Sequence, residues 1–499
     1  MPALSQIPTP LNGPASRRST ASPNLVLVIV CAGVVLASLD LFIVNVALPQ
    51  MARSFGSGTR LGDLSWVLNA YAIVYASLLV LFGRLADRYP RKGGFLVGVA
   101  VFVAASAACA AATSLPMLIA FRVVQAGGAA LLTPTSLGLI LATFPAERRH
   151  SAVRTWTAAG GFAAALGPAV GGILVAASWR WVFLVNLPIG VAALVAGWRL
   201  LPDVPGHPIP WPDGWSALLI TGGVGALTLG LVEGGTWGWG STRTVTVLAA
   251  SVVLLALFAL RTARHHNPLI DRALFRVRPF TGASAVAVLF SIAFGAMLLS
   301  RVLWAQDVWH WSALTTGFSI VPGPIMVPLF SFLVAGRLIA RFGAGVVIAA
   351  GSTIFAAGMV WMALAAGLRP DYVGDVLGGL ILTGIGVGLT LPTMMATAAA
   401  SLPPTSFATG SAVVNMLRQV GLAIGVAVLI AVLGTPDSPA QVLAAYQRGW
   451  WVTAAIAFAG GIVGFLTLVH GPRDASATEA RAASPSRAPE LVAAGTENV

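Results

Sequence analysis

The chain has 499 residues, 57% of them hydrophobic and only 9% charged, with a mean hydropathy of +0.87; a soluble globular protein is nearer a quarter charged. That composition excludes an ordinary soluble enzyme or binding module and points to an integral membrane protein. The formal net charge of +13 reads as a topology signal rather than a nucleic-acid footprint, because of where the basic residues fall.

Residues 1–24 and 471–499 are rich in Ala, Ser, Pro and charge, with too little apolar patterning to build a core. Both are expected to be disordered tails. Between them lie fourteen apolar stretches, at 25–49, 64–83, 94–112, 116–142, 152–177, 180–200, 215–234, 244–263, 279–303, 312–340, 344–366, 373–396, 406–433 and 449–470. Each is about the 20 residues a spanning helix needs. They are continuous runs rather than short alternating strands, so the expected class is all-α, with backbone hydrogen bonds closed inside each span.

Arg17 and Arg18 precede the first run, which is read as a retained span rather than a cleaved export signal. With the N-terminus cytoplasmic and the spans alternating, outer loops hold only Arg53, Arg60, Arg180, Arg243, Arg369 and Arg448. Spans hold Arg122, Arg301 and Arg418, and the other 20 of the 29 Lys and Arg residues lie on the inner side. This positive-inside bias places both termini in the cytoplasm of a cell whose plasma membrane the chain spans.

The first span contains SLDLFIVNVALP (38–49), an aspartate in an otherwise lipid-like run. An isolated charge near the bilayer centre costs about 2.5 to 3.5 kcal/mol on insertion scales, so such residues face a cavity or each other. Helical rise puts Asp40 about 13 Å below the outer end of span 1 and Arg122 about 9 Å below the outer start of span 4. The two are expected to pair. Burial favours the neutral acid and the guanidinium favours the carboxylate, so a conformational change sets the balance; the alternative is a permanent ion pair that fixes helix register. Asn45 and Gln125 are candidates to line the same cavity.

GRLADRYPRKGG (83–94) follows on the inner side. Gly83 permits close helix approach, Asp87 suits a helix N-terminus, and Arg88, Arg91 and Lys92 are expected to face the cytoplasm. GRLIAR (336–341) repeats GRLADR (83–88) at the end of span 10, with Gly, Arg, Leu and Arg matched. The repeat predicts two six-span halves, 25–200 and 279–470, around an insert at 201–278 that carries two spans and a basic linker. Duplicated halves with a site between them are the usual build of a secondary transporter. In LGPAVGG (166–172), Pro168 interrupts the helix ladder while Gly167, Gly171 and Gly172 clear a face, which predicts a bending, closely packed helix.

Glu233 and Trp237 end span 7, where an interfacial position is expected. In LLSRVLWAQDVWHW (298–311), two readings stand: Arg301 snorkels outward and the tryptophans are belt residues, or Trp304 and Gln306 offer an aromatic face and an amide to a substrate. Asn415, Arg418 and Gln419 form a cavity edge or a packing network. GIGVGL (384–389) lies inside an apolar run and is tight packing, not a nucleotide loop. Cys31 and Cys109 sit in different spans, and the six histidines lack ligand spacing. No HExxH, GxSxG or P-loop stretch suggests an enzyme.

GRLADRYPRKGG resembles the cytoplasmic signature of the major facilitator superfamily. SLDLFIVNVALP, FRVVQAGGAALLTP (121–134), LGPAVGG, SWRWVFLVNLPIG (178–190), NPLIDRALFR (267–276) and VVNMLRQVGLAIGVA (413–427) resemble its fourteen-span drug:proton antiporters in order, over roughly residues 25–470. The resemblance implies the paired six-helix fold and export of lipophilic small molecules, cationic ones among them. It also implies inward proton flow as the energy source, with no cofactor and no metal. Expected partners are the substrate, protons and the lipid bilayer, without nucleic acid. Tyr89-Pro90 stand where the signature has a glycine, Phe42 replaces a common threonine, and Ala126 and Ala340 replace a glycine and an aspartate. The rival functions are a dedicated exporter of one endogenous metabolite, lipid or siderophore, a membrane enzyme, and a non-transporting receptor or scaffold.

Overall fold

A computed structural model describes residues 22–55, 61–211, 213–266, 268–434 and 438–468. The segments expected to be disordered tails, 1–24 and 471–499, lie outside them apart from residues 22–24. The side chains of Asn45 and Pro168 also lie outside the described ones. Among the described residues the regular structure is helical.

The first half comprises α1 (Pro23–Phe55), α2 (Leu61–Arg88), α3 (Arg91–Ala111), α4 (Leu115–Thr143), α5 (Ala146–Ala177), α6 (Trp181–Leu184) and α7 (Asn186–Leu200). Helices α6 and α7 form one span. Pro188 has no N–H to give the Leu184 carbonyl, and the ladder breaks at Val185. The insert is a helical hairpin, α8 (Gly214–Trp237) and α9 (Thr242–Arg264). Asp213 caps α8 by accepting from the Ser216 amide, Ser241 caps α9 by accepting from the Thr244 amide, and Gly238 turns the chain between them at φ 86°. That conformation suits glycine alone at little strain.

The second half runs through α10 (Arg278–Leu303), α11 (Ala313–Ile320), α12 (Pro322–Phe330), α13 (Gly336–Phe342), α14 (Ala344–Ala365), α15 (Gly378–Ala400), α16 (Phe407–Leu433) and α17 (Pro439–Leu468). Helices α11 to α13 make one span, interrupted where Pro322 and Pro328 withhold donors. One-turn π segments at Trp304–Val308, Ser331–Ala335 and Tyr372–Leu377 re-aim the chain at span ends and within this broken span. Among the described residues, thirteen helical spans are long and apolar enough to cross a membrane, and α5 makes a fourteenth if its parts Ala146–Ala164 and Ala169–Ala177, bent by 46°, count as one span. The last span begins at Pro439, ten residues earlier than the apolar run suggested.

In the first half α1 packs on α5, α4 and α7, and α4 on α2 and α3; in the second, α14 packs on α15 and α17, and α10 on α16 and α17. The halves meet along α2 with α16 and α5 with α15 and α12. Helix α8 fills the groove between α2 and α16, while α9 turns Val245, Val252, Val253, Leu257 and Leu260 outward. Those side chains suit lipid. The one serine α9 buries, Ser251, donates inward to the Gly223 carbonyl at 2.8 Å, as a polar group in hydrocarbon must.

Candidate functional site

Four helices of the first half bring polar side chains to one point in its core. Asp40 on α1, Arg122 and Gln125 one turn apart on α4, and Asn186 at the start of α7 are each 0% exposed, as is Ser106 on α3. Arg122 Nη1 donates to Asp40 Oδ2 and, at 2.6 Å, to Gln125 Oε1. The other carboxylate oxygen, Oδ1, accepts from Gln125 Nε2 at 2.9 Å and from Asn186 Nδ2 at 2.9 Å. Ser106 Oγ accepts from Gln125 Nε2 at 2.7 Å. Both carboxylate oxygens therefore carry donors, and the charge is countered by a direct ion pair.

Arg122 has further supports that do not depend on Asp40. Its Nε donates to the Val67 carbonyl at 3.0 Å, and its guanidinium carbon lies 4.2 Å from the Tyr71 ring centroid. A desolvated cation on an aromatic face is worth about 2 kcal/mol. Its Nη2 has no partner. The guanidinium is thus held by the Asp40 carboxylate, the Gln125 amide oxygen, the Val67 carbonyl and the Tyr71 ring, and releasing Asp40 leaves it the other three. Such an arrangement can exchange a carboxylate–guanidinium contact for a protonated acid.

A second polar cluster closes the face that carries the α2–α3 loop. Ser406, the residue before α16, makes no side-chain cap, and the opening amides of α16 are instead satisfied from the other half. Asp87 Oδ1 accepts from the Ala408 amide at 2.9 Å; Oδ2 accepts from the Thr409 amide at 2.7 Å and the Thr409 hydroxyl at 2.6 Å. A carboxylate at a helix N-terminus meets orphan donors and the positive end of the helix dipole. Arg91 approaches Asp87 at 3.6 Å and donates to the Pro404 carbonyl at 3.2 Å. Beneath this clamp, a Cβ on Gly83 would lie 2.5 Å from the Ala412 Cβ, so glycine is required for α2 to meet α16. Its repeat partner Gly336 meets the Arg154 guanidinium of α5, the matching contact across the halves.

The linker after α7 is laid over the same loop. His207 N donates to the Asp87 carbonyl at 2.8 Å, Arg91 N to the Val204 carbonyl at 3.1 Å, and Arg88 to the Ile209 carbonyl. Arg88 also stacks over Trp211, 5.1 Å from the centroid, and Lys92 pairs with Asp203 at 3.2 Å. The His207 ring lies 2.9 Å from the Pro404 carbonyl, so the strap touches both halves. Pro90 stands directly before α3 at φ −55°, and the loop turns with no residue at positive φ. Tyr89 packs edge-on against Trp211.

In LGPAVGG, Gly167 and Gly171 face α1: a Cβ on either would sit 3.1 Å from the Ile43 nitrogen or 2.9 Å from the Ile43 oxygen. Gly172 faces the other half at Leu314 of α11. The 46° bend of α5 falls between Ala164 and Ala169, around Gly167 and Pro168.

Several expected placements are corrected. Gln125 belongs to the sealed polar knot rather than to an open cavity. Trp304 is buried edge-on among Trp309, Tyr446 and Trp450, at 5.1 to 6.3 Å between centroids, and presents no free face. Asn415 is buried, donating to the Ser411 carbonyl at 3.0 Å and accepting from Arg418 at 3.1 Å. Gln306 is half-buried beside Trp304. Among the described substrate candidates, Gln125, Trp304, Gln306 and Asn415 therefore do not share one lined cavity. Arg91 points inward instead of to water, Arg301 does not snorkel, and Glu233, near the end of its span, is 2% exposed and accepts from Asn69 at 2.8 Å. The common cause is rotation: depth follows from position along a span, but the face a residue turns to is set by neighbours. Asn186 and Ser106 were missed as parts of the site. A lone amide in the apolar run WVFLVNLPIG was the available signal for Asn186.

Residues 30–426 match the family profile of the Major Facilitator Superfamily. The chain is 33% identical over 431 residues to the tetracenomycin C resistance and export protein of Streptomyces glaucescens, covering 85% of this chain and 77% of that one. It is 35% identical over 411 residues to the multidrug resistance protein Stp of Mycobacterium tuberculosis, covering 82% and 75%. Among solved structures, the human organic anion transporter MFSD10 superposes with a TM-score of 0.64 over 89% of this chain and 99% of that one. Its 14% identity makes this a likeness of fold alone.

Proposed function

Because this chain belongs to the major facilitator superfamily, a family of transporters rather than enzymes, we propose that it exports lipophilic small molecules of antibiotic type across the plasma membrane in exchange for protons. The observation that carries the coupling is the fully buried Asp40–Arg122 pair with its two amide donors. A permanent register-fixing pair has no need of a guanidinium with alternative partners, and Arg122 has the Val67 carbonyl and the Tyr71 ring in reserve. In this reading Asp40 takes a proton when movement of α1 against α4 draws Arg122 away, and gives it up when the pair re-forms. The export direction is supported by the functions of the relatives, resistance and export. A membrane potential of 100 mV contributes about 2.3 kcal/mol per proton charge, enough for roughly 50-fold accumulation of a neutral substrate.

The Asp87 clamp and the strap lie on the cytoplasmic side in this reading, together with both termini. Closed there, they hold the halves in the state that faces outward, and the bend of α5 supplies the play for rocking. The test is proton movement in reconstituted vesicles on adding antibiotics, tetracenomycin C and puromycin among them. Wild-type vesicles that release no protons under a drug gradient would reject coupling. Resistance to a single compound class in cells would favour the dedicated-exporter reading instead.

A further inference from the structure

Glu233 of the inserted hairpin is a buried acid with no part in the machinery described so far. It lies one turn before α8 ends at Trp237. The ion pairs among the described residues join Arg91 to Asp87, Lys92 to Asp203, Arg122 to Asp40 and Arg261 to Asp213, and Glu233 enters none of them. Its carboxyl has one partner among the described side chains, the Asn69 amide of α2, which donates from Nδ2 to Oε1 at 2.8 Å. Asp40 by contrast has an arginine and two amides for its charge. The helices packed on α8 bring no cation to Glu233. Helix α2 has Asp63, six residues before Asn69, and Tyr71, whose ring lies against Arg122; α16 carries no charged residue after Arg418; on α9 the base nearest in sequence, Arg243, is exposed. Acids inside spans are costly unless paired, and they mark proton and ion paths. With no cation beside it, Glu233 has a proton as its available counter-charge.

Its placement ties Glu233 to the Asp40 pair. Asn69 lies between Val67 and Tyr71, the two α2 residues that hold Arg122 by a carbonyl and a ring. Residues 67 and 71 share one face of the helix, and residue 69 is turned about 200° from both at 3.6 residues per turn. One turn of α2 therefore carries Arg122 on one side and Glu233 on the other, which sets the two acids at similar depth. Helix α8 also reaches the other half at this level: Gly235 faces Ile430 of α16. Glu233 thus sits in the seam between α2 and α16, the helices that Asp87 and Gly83 hold together at the clamp. Parting them opens that seam from the clamp end. With the clamp shut, the acid lies nearest the opposite end, one turn from Trp237.

We infer that Glu233 is a second proton-carrying acid, so that one cycle exchanges two protons, one at Asp40 and one on the inserted hairpin. The carboxylate takes H⁺ from water beyond the Trp237 end, forming an O–H at Oε2 while Oε1 keeps the Asn69 amide. That O–H breaks and the proton passes to water at the clamp end when α2 and α16 part, restoring the carboxylate. Because a single α2 turn bears on both acids, movement of Arg122 and release at Glu233 belong to one rocking step. This rests on the proton-coupled reading and extends it.

The test uses the purified full chain in vesicles with the membrane potential clamped at zero, and reads the limiting gradient of tetracenomycin C or puromycin against the imposed pH gradient. One exchanged proton multiplies that gradient about tenfold per pH unit, and two multiply it about 100-fold. Wild type is expected at about 100-fold per unit and Glu233→Gln at about tenfold, with Glu233→Asp reaching the wild-type limit more slowly. A wild-type value of about tenfold, or a Glu233→Gln variant that matches wild type, overturns the second proton alone. No pH-driven gradient of either drug in wild type removes proton-coupled export, and the second proton with it. Dicyclohexylcarbodiimide, which adds to protonated carboxyls in apolar surroundings, gives a reading on wild type that holds even if Glu233→Gln does not fold. Mass spectrometry is expected to find Glu233 labelled, and faster as pH falls; a Glu233 that stays unlabelled overturns the assignment.

Discussion

Replacing Asp40 by Asn keeps the shape of the side chain and removes its charge, which makes it the sharpest probe of the polar knot. The carboxylate accepts three bonds, from Arg122 on one oxygen and from Gln125 and Asn186 on the other. An asparagine has one acceptor oxygen and one NH2 group. Turned either way, it sets an N–H against at least one of those donors, at a position that is 0% exposed. Losing one partner of a buried pair costs about 3 to 5 kcal/mol, and the remaining contacts of Arg122 to Gln125, Val67 and Tyr71 offset part of that, leaving about 2 to 4 kcal/mol. Asp40→Asn is therefore expected to melt measurably lower than wild type in detergent and to abolish substrate-driven proton flux in vesicles. Asp40→Glu, still titratable, is expected to retain flux at reduced rate. Full proton-coupled efflux by Asp40→Asn would refute the assignment of the proton to this residue. A large melting loss with coupling intact would mark the pair as structural only.

Asp87→Asn weakens the acceptor bonds to Ala408 and Thr409; a loss of about 2 kcal/mol shifts the closed-to-open ratio of the clamp roughly 30-fold, read as faster labelling of a cysteine placed at Ala412. Gly171→Val drives a branched side chain into the Ile43 carbonyl and is expected to destabilise the α1–α5 contact by about 1 to 3 kcal/mol, with transport falling alongside. Asn186→Ala withdraws one donor from Asp40 and is expected to cost about 1 to 2 kcal/mol, seen as a lower melting temperature with α7 still folded by circular dichroism. Asp213 at the base of the inserted hairpin is held well below the usual carboxylate range, first by hydrogen bonds from Arg261. A depressed acid contributes stability above its unfolded value and loses it as pH falls through the folded one. The melting gap between wild type and Asp213→Asn is thus expected to be constant at neutral pH and to shrink only below about pH 4; a gap that closes between pH 6 and 8 would contradict this.

The spans were legible because hydrocarbon demands unbroken apolar runs, and the meeting of Asp40 with Arg122 was legible because charges at similar depth in lipid have few other partners. Asp87 at a helix start was anticipated in kind, but its target, α16, was not: nothing local in either sequence names a partner 321 residues away. Asn186 and Ser106 escaped because neutral polar residues cost too little in a span to demand explanation. Trp304, Arg91 and Glu233 were placed at the right depth on the wrong side. The α17 start at Pro439 was hidden by its polar first turns, QVLAAYQR, which project beyond the apolar run while remaining helical.

The dependence of α16 on Asp87 bears on how the chain is made. A helix whose first turn is finished by a residue from the opposite half emerges from the ribosome incomplete, and stays so until the earlier half has been inserted and can receive it. Severed halves expressed separately would each lack something the other supplies, one a set of amide donors and the other a carboxylate. Reunion of such fragments, rather than independent survival, is what this architecture leads one to expect.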